Sequence, residues 1–261
     1  MSEAYVQSLA RGISVLRAFD ADHASMSLSE VAQKTGLTRA TARRFLHTLV
    51  ELGYVHADGK AFRLSPTVLG IGYSYLSSLS LPDLAYPHLR ELSGRVGEST
   101  SMSVLEGDDI IYVARVHARR IMHVAISVGT SFPAHATSMG RVLLAGLDEE
   151  RLEAYLERQE PEELTGHTVT DIDELRARIL RVRERGWEIV DQELEMGLRS
   201  VAAPVTDAKG RHIAAVNVSM RVGTENARAD KIKEKILTRL RETALRIGHA
   251  YRSGAGLSLP S

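Results

Sequence analysis

Residues 27–63, SLSEVAQKTGLTRATARRFLHTLVELGYVHADGKAFR, decide the fold of the first part of the chain. Ser27 and Glu30 have the spacing of a capping box, in which a hydroxyl and a carboxylate satisfy the first backbone amides of a helix reciprocally. The pattern predicts a short helix over residues 28–35. Three apolar side chains are expected on its buried face: Leu28, Val31 and Ala32.

A second helix is predicted after a tight turn at Gly36 and Leu37. Thr38 is a favourable N-cap, and the helical spacing of apolar residues continues over residues 39–52. Two helices joined by a short turn that contains glycine form a helix-turn-helix. The buried face of the second helix is expected to hold Ala42, Phe45, Leu46, Leu49 and Val50.

The opposite face of this second helix is basic. It carries Arg43, Arg44 and His47, and no acidic residue precedes Glu51. A recognition helix reads the major groove with its N-terminal residues, and arginine is well suited to guanine edges and phosphates. The start of the helix adds Arg39, Ala40 and Thr41.

A β-ribbon is predicted after Gly53, which ends the helix. Residues 54–56 and 61–64 flank Asp58-Gly59, a strong two-residue hairpin signal. Such a ribbon is a wing, and its cations are expected to contact the phosphate backbone. They are Lys60 and Arg63.

Together these features predict a winged helix-turn-helix that binds double-stranded DNA. A lone basic helix is usually a solvated surface, but here the capping box, turn, basic face and wing occur in order. An earlier helix over residues 9–19 begins beside Ser8 and Arg11, which are weaker candidates with a solvated surface as the alternative. The predicted DNA contacts are Ser8, Arg11, Thr38, Arg39, Ala40, Thr41, Arg43, Arg44, His47, Lys60 and Arg63.

The charge of the whole chain hides this basic surface. The 261 residues include 33 basic and 33 acidic side chains, so the formal net charge is zero. Residues 37–63 nevertheless hold five basic and two acidic side chains, a local net charge of +3. Because a few phosphate contacts give weak affinity at physiological salt, specific binding is expected to need two or more copies of the module.

Composition also restricts the cellular setting. Cysteine is absent, which fits a reducing cytoplasm and excludes disulfides, thiol catalysis and cysteine-ligated zinc. No stretch approaches the ~20 apolar residues of a membrane span, and no signal sequence is recognised. We therefore expect a cytoplasmic protein without a membrane partner or a cofactor.

The sequence predicts two domains joined by a helical linker. The winged helix-turn-helix is expected at residues 1–65, the linker at residues 66–82, the second domain at residues 83–252 and a disordered tail at residues 253–261. Ser65 and Pro66 begin a helix over residues 67–78, and Leu81-Pro82-Asp83 is expected to break it.

Strands and helices are mixed in the second domain. Helices are predicted near residues 84–96, 139–147, 148–158, 171–185 and 226–251. Strands are predicted at residues 99–105, 110–116, 121–128, 187–190, 200–206 and 212–219. This order indicates an α+β domain with one antiparallel sheet. The last helix is expected to bury Ile232, Ile236, Leu240, Ala244 and Ile247.

Two features of this domain are candidates for ligand binding. Thr137 or Ser138 can cap the helix that contains Met139, and a helix N-terminus binds anions; a capped start without ligand is the alternative. Asn217 and Ser219 face the same side of one strand, where solvent exposure is the alternative to a cavity. Asp191 and Ser200 extend this polar cluster, while Glu193, Glu195 and Arg199 are expected at the surface.

Motifs of catalysis are missing. The sequence has neither a Gly-x-Ser-x-Gly elbow nor a His-Glu-x-x-His motif. His117 and His123 flank two arginines that would repel a metal cation, and Asp108-Asp109 fits a solvated turn. His135 could donate to a ligand or bond its own loop, and neither is favoured. We therefore predict that the chain is not an enzyme.

These residues resemble a known family. The DNA-binding domain of IclR-type transcriptional regulators is similar to two segments here, Leu28-Ser29-Glu30-Val31-Ala32 and Thr35-Gly36-Leu37. Their effector domain is similar to residues 134–141 and 186–200. The resemblance covers about residues 6–247. Residues 5–12, 85–89 and 114–116 are similar to the branch that regulates the β-ketoadipate pathway, the route for protocatechuate and 4-hydroxybenzoate.

The resemblance implies a GAF-like effector-binding domain, homodimers through the DNA-binding half, and often tetramers through the other half. It implies that a small carboxylate or aromatic-acid effector contacts the backbone amides of Ser138 and Met139. Ser200 stands where some members have cysteine, Asn217 where others have serine, and Met139 is bulkier than in some members. The implied effector residues are Thr137, Ser138, Met139, Asp191, Ser200, Asn217 and Ser219.

The leading hypothesis is thus a ligand-responsive transcriptional regulator that binds a near-palindromic operator as a dimer. One alternative is a small-molecule-binding or hydrolytic enzyme whose winged helix serves oligomerisation. The other is a constitutive DNA-binding protein whose second domain binds nothing.

Overall fold

The computed structural model describes residues 5–71, 80–118 and 126–254. The chain divides into two compact units, Met1–Ser78 and Leu79–Ser261. In the described ranges no helix is long and apolar enough to cross a membrane.

The first unit combines three helices with a three-stranded antiparallel sheet. Its elements are α1 Gln7–Arg17, β1 Met26–Ser27, α2 Leu28–Thr35, α3 Arg39–Glu51, β2 Val55–Asp58 and β3 Ala61–Leu64. The strand order is β1-β3-β2. Strand β1 was not predicted, because two residues are too few to show an alternating pattern. Helix α1 begins two residues before its predicted start.

Local signals produce this unit as predicted. The Ser27 amide donates to the Glu30 carboxylate at 2.7 Å, and the Glu30 amide donates to the Ser27 hydroxyl at 3.4 Å. Gly36 ends α2 with φ 65°, a left-handed conformation that favours glycine. The core of the unit contains Val15, Ala18, Phe19, Met26, Val31, Ala32, Ala42, Leu46, Leu49, Val55 and Phe62.

The second unit is built on a six-stranded antiparallel sheet. Its strands are β4 Ser99–Glu106, β5 Asp109–Val116, β6 Ser131–Pro133, β7 Glu188–Asp191, β8 Leu198–Thr206 and β9 His212–Arg221, in the order β6-β5-β4-β9-β8-β7. Its main helices are α4 Ser80–Val96, α5 Ser138–Ala145, α6 Glu149–Glu157, α7 Ile172–Arg185 and α8 Thr238–Gly254. The predicted α+β class with an antiparallel sheet is confirmed.

Helices cover both faces of this sheet. Helix α4 and the C-terminal helical segment pack on one face, and α5 with α7 packs on the other. A π-helical stretch, Ile232–Leu237, precedes α8. All five apolar residues predicted to be buried in this last segment are buried: Ile232, Ile236, Leu240, Ala244 and Ile247.

Several predicted boundaries change. Leu81, Pro82 and Asp83 do not form a break but lie in the first turn of α4, where proline is tolerated because its missing amide is not needed. The predicted strand over residues 121–128 lies largely outside the described residues, and residues 126–128 form no strand. Much of the linker helix, at residues 72–79, and the tail after residue 254 also lie outside them.

Candidate nucleic-acid interface and ligand site

Helix α3 presents its predicted contact residues to solvent. The Thr38 hydroxyl accepts from the Thr41 amide at 3.2 Å and so caps the helix. Arg43 and Arg44 are exposed, because the helical period turns Leu46 and its apolar neighbours into the core. Five further predicted residues on α3 or the wing are also exposed: Arg39, Ala40, His47, Lys60 and Arg63. Thr41, in contrast, is half-buried.

The wing follows α3 directly. Asp58 pairs with Ala61, so the two-residue loop is Gly59-Lys60, one residue later than the predicted Asp58-Gly59 turn. Gly59 has φ 60°, which suits the left-handed position of such a hairpin. The ring of His47 meets Phe62 edge-on with centroids 6.5 Å apart, which connects the recognition helix to the wing.

The cations of this surface are not neutralised by the protein. In the described part of the chain, Lys34 pairs with Asp20 at 2.5 Å, whereas none of five other cations forms an ion pair. The five are Arg39, Arg43, Arg44, Lys60 and Arg63. Ser8 and Arg11 are exposed on α1. Unpaired cations on a protruding helix and wing suit a phosphate backbone.

The candidate ligand site lies on one face of the six-stranded sheet. Residues that pair directly across antiparallel strands share a face, so Ser101, Asn217 and Ala202 lie side by side, as do Ser219 and Ser200. The whole polar row is buried, and α5 contacts it at Ser103 and Ser200. Its members are Ser99, Ser101, Ser103, Arg115, Ser200, Asn217 and Ser219.

The N-terminus of α5 borders this row. The Thr137 hydroxyl accepts from the Gly140 amide at 3.0 Å, and the hydroxyls of Ser138 and Ser200 lie 2.8 Å apart. Met139 is buried, and its sulfur accepts from the Ser103 hydroxyl at 3.3 Å. The structure thus brings Thr137, Ser138, Met139 and Ser200 together. A helix N-terminus of this kind carries partial positive charge.

Asn217 has an unsatisfied acceptor. Its Nδ2 donates to the Ser219 hydroxyl at 3.2 Å, while its buried Oδ1 has no partner within the described residues. Leaving a buried polar atom unpaired costs roughly 1–3 kcal/mol. A bound molecule that donates a hydrogen bond would remove this cost.

Asp191 does not join the row, contrary to the prediction. It pairs with Arg199 across the strands, one position from the Val190–Ser200 pair, so its side chain points to the other face of the sheet. Its carboxylate accepts two bonds from Arg199, at 2.9 and 2.5 Å. Asp191 is therefore engaged by Arg199 rather than available to a ligand on this face.

Glu193 is buried, although it was predicted at the surface. Its carboxylate binds Arg141, which has no exposed surface, and it also accepts the Val169 amide at 3.1 Å. Glu195 and Arg199 are partly buried. His135 bonds its own surroundings, because its Nε2 donates to the Glu162 carbonyl at 3.3 Å. Burial lowers the pKa of His135.

Sequence reasoning did not single out Ser99, Ser101, Ser103 and Arg115, which the structure adds to the buried polar row. The alternation of three serines in β4 is a usable signal, since residues two apart share one face of a strand. Their significance emerges only when β4 is placed beside β9. In the described ranges no cluster of His, Cys, Asp or Glu is suited to a metal ion.

Comparisons with known proteins cover both units. Residues 8–59 match the IclR helix-turn-helix domain, and residues 73–249 match the bacterial transcriptional regulator IclR C-terminal domain. The Pca regulon regulatory protein of Pseudomonas putida is 45% identical over 220 residues, which span 84% of this chain and 76% of that protein.

Two solved structures are similar over nearly the whole chain. One, from Rhodococcus sp. RHA1, is 54% identical with a TM-score of 0.85 and covers 96% of this chain and 100% of its own. The other is an IclR homologue from Microbacterium hydrocarbonoxydans complexed with 4-hydroxybenzoate. It is 26% identical with a TM-score of 0.81 and covers 94% of this chain and 99% of its own.

Proposed function

Because this chain belongs to the IclR family of bacterial transcriptional regulators, we propose that it controls genes of aromatic-acid catabolism in response to a small carboxylate. Regulation of transcription through DNA follows from the family. The interpretation as a hydrolytic enzyme with an oligomerising winged helix is not supported, since the relatives are named as transcriptional regulators. The pathway and the effector are the proposed parts.

The observation that carries the proposal is the coexistence of two surfaces in one chain. One is the unpaired basic surface of α3 and the wing, which suits DNA. The other is the buried polar row, where Asn217 Oδ1 lacks a donor in the described part. The first surface alone describes a constitutive DNA-binding protein, whereas the second supplies a place for a ligand.

The relatives suggest which ligand this is. The Pseudomonas putida relative is a Pca regulon regulator, and the Microbacterium structure holds 4-hydroxybenzoate. We propose that the effector is an aromatic acid or a carboxylate from its degradation. Its contacts in this chain are the start of α5, at Thr137, Ser138 and Met139, together with Ser200, Asn217 and Ser219.

For DNA, we propose that a homodimer presents two copies of α3 to successive major grooves about 34–36 Å apart, reading a near-palindromic operator. Residues 1–65 serve as the DNA-binding domain, residues 66–82 as the linker, residues 83–252 as the effector domain and residues 253–261 as a tail. An effector shifts operator affinity only through its different affinities for two arrangements of the dimer.

Fluorescence anisotropy of the full-length protein tests this function. The probes are DNA from upstream of its own gene and of neighbouring catabolic genes, at two salt concentrations. β-Ketoadipate, protocatechuate and 4-hydroxybenzoate are added one at a time. Salt-sensitive DNA binding whose affinity changes when one acid is added supports both the regulator and the proposed effector class. Binding that ignores all three removes the pathway and keeps the regulator, while a lack of specific binding contradicts the proposal.

A further inference from the structure

Arg115 is a buried cation with spare donors. The residue as a whole is 7% exposed, and its Nη1 donates to the Ser101 hydroxyl at 3.0 Å. Its Nε lies 3.5 Å from Nδ1 of His117. A guanidinium carries five N–H donors, so three of them have no partner in the part of the chain that the structure describes.

No carboxylate neutralises Arg115 in the described residues. The remaining residues of its unit, at positions 79, 119–125 and 255–261, include neither aspartate nor glutamate. Arg141, which has no exposed surface, has Glu193 as a bidentate partner. Since a buried charge is costly unless it is paired, an anion from outside the unit would complete the environment of Arg115. Burial also lowers the pKa of Arg115.

Arg115 and the start of α5 lie at two ends of the polar row. Strand β9 separates Ser101, which Arg115 contacts, from Ser200, which contacts Ser138. Two strand spacings and an offset of two residues place the Cα atoms of the two serines about 12 Å apart. A separation of about 12 Å between backbones, less the side chains at each end, is on the scale of one aromatic ring or a six-carbon chain with its polar ends.

Asn217 lies between the two ends. It pairs in register with Ser101, and its buried Oδ1 lacks a partner among the described residues. This orphaned acceptor is independent of the charge on Arg115. Both observations indicate that a bound molecule completes the face.

We propose that Arg115 binds the ionised carboxylate of the effector, while the other polar end of the effector reaches Ser138 and Ser200 at the start of α5. This inference rests on the proposed function and orients its ligand. The carboxylate carries a full negative charge and pairs with the full positive charge of the guanidinium. The other polar group of the effector lies at the N-terminus of α5, where the partial charge of the helix dipole is weaker. Aromatic hydroxy acids and six-carbon dicarboxylates share this chemistry.

Isothermal titration calorimetry with the full-length protein tests the inference. The probes are 4-hydroxybenzoate, protocatechuate and β-ketoadipate, with 4-hydroxybenzamide and 3,4-dihydroxybenzamide as neutral isosteres of the two aromatic acids. Arg115→Gln should weaken the acid that binds wild type by roughly 10- to 100-fold, as expected for a hydrogen bond to a charged group. The acid affinity of Arg115→Lys should lie between those of wild type and Arg115→Gln, because lysine keeps the positive charge but lacks the planar pair of N–H donors.

The preference for acid over amide separates binding from folding. In Arg115→Gln this preference should collapse, whereas Arg181→Gln, which removes an exposed cation from α7, should leave it unchanged. If Arg115→Gln fails to fold or to bind operator DNA, the inference is tested by comparing the acid affinity of Arg115→Lys with that of wild type. Which of the three acids binds wild type shows whether the effector is an aromatic acid or a dicarboxylate.

Three results have distinct meanings. Unchanged acid affinity in both Arg115 variants overturns the role of Arg115 and leaves the proposed function intact. A wild-type protein that binds operator DNA but none of the three acids overturns the inference as well. A protein that binds no operator DNA contradicts the proposed function itself.

Discussion

Arg141 and Glu193 form a bidentate ion pair with no solvent contact at the arginine. The guanidinium Nη1 and Nη2 donate to the two carboxylate oxygens at 2.9 and 2.5 Å, and the side chain of Arg141 is 0% exposed. Nε of Arg141 donates to the His135 carbonyl at 2.8 Å. This pair therefore joins α5 and its preceding turn to the loop after β7, beside the candidate ligand site.

Glu193→Ala should destabilise the protein strongly. Removing Glu193 leaves the buried Arg141 with only the more distant carboxylate of Glu188, 3.7 Å from its Nη1. Breaking a buried ion pair in this way costs about 3–5 kcal/mol. Urea denaturation followed by circular dichroism measures this loss. Glu184→Ala, at an exposed position on α7, is the matched control and should stay within about 0.5 kcal/mol of wild type. Equal stabilities for the two variants would show that Arg141 does not need Glu193.

Gly140→Ala should disturb the start of α5. A Cβ at this position would lie 2.2 Å from the carbonyl oxygen of Ala134, a backbone atom that cannot rotate away. We expect a loss of stability together with a weakened response to effector, because the amides of Ser138 and Met139 must shift. Thermal unfolding with and without effector measures both.

Gly94→Ala provides the opposite case for the same substitution. Gly94 lies in α4, with no heavy atom within 4 Å of an added Cβ. Alanine should therefore stabilise the helix by roughly 0.5–1 kcal/mol. If Gly94→Ala were as damaging as Gly140→Ala, the close approach of Ala134 would not be the cause.

The first unit was predictable because its signals are local. The capping box at Ser27 and Glu30, the left-handed Gly36 and the hairpin at Gly59 each act over a few residues. The spacing of Ala42, Leu46 and Leu49 likewise defines the buried face of α3 without knowledge of its partners. In the second unit the buried face of the last helix was predictable for the same reason.

The ligand site depends on pairing between distant residues. Glu193 meets Arg141 across 52 positions, so its burial could not be inferred from its polar neighbours. Neighbouring positions along a strand point to opposite faces of the sheet. Ser200 pairs with Val190, one position before Asp191, so Asp191 and Ser200 lie on opposite faces. Arg115 was missed because its unpaired charge is visible only after the sheet is assembled.

His135 should make the protein sensitive to acid. Burial lowers its pKa below the ordinary value of 6.5, so protonation favours the unfolded chain. The contribution of neutral His135 is complete above about pH 6.5 and is lost as the pH falls toward the lowered value. His135→Gln should reduce the difference in unfolding free energy between about pH 7.5 and about pH 5.5. His249→Gln, at an exposed position, should leave that difference unchanged.

Asn217→Ala and Asp191→Ala should behave differently, although both residues were predicted in the pocket. Asn217 lies on the buried polar row, so its loss should abolish the effector response while operator binding persists. Asp191 bonds Arg199 on the other face, so Asp191→Ala should retain effector affinity. Calorimetry with the effector and anisotropy with operator DNA measure the two properties. A normal response in Asn217→Ala would remove that residue from the site.

Arg43→Ala and Arg44→Ala should each weaken operator binding by about 1–3 kcal/mol if their contacts are base edges, and relax specificity at one position of the site. Both side chains are exposed on α3 and unpaired in the described residues, so truncation removes a DNA contact without leaving a protein group unsatisfied.

Lys60→Ala should instead weaken binding to all sequences and lower the salt slope by about one, because we propose that the wing contacts phosphate. Anisotropy titrations over a salt series, with operator and scrambled DNA, distinguish the two kinds of contact. Arg181→Ala removes the same charge from α7 and should change neither quantity. If Arg43→Ala and Arg44→Ala also left both unchanged, α3 would not be the recognition helix.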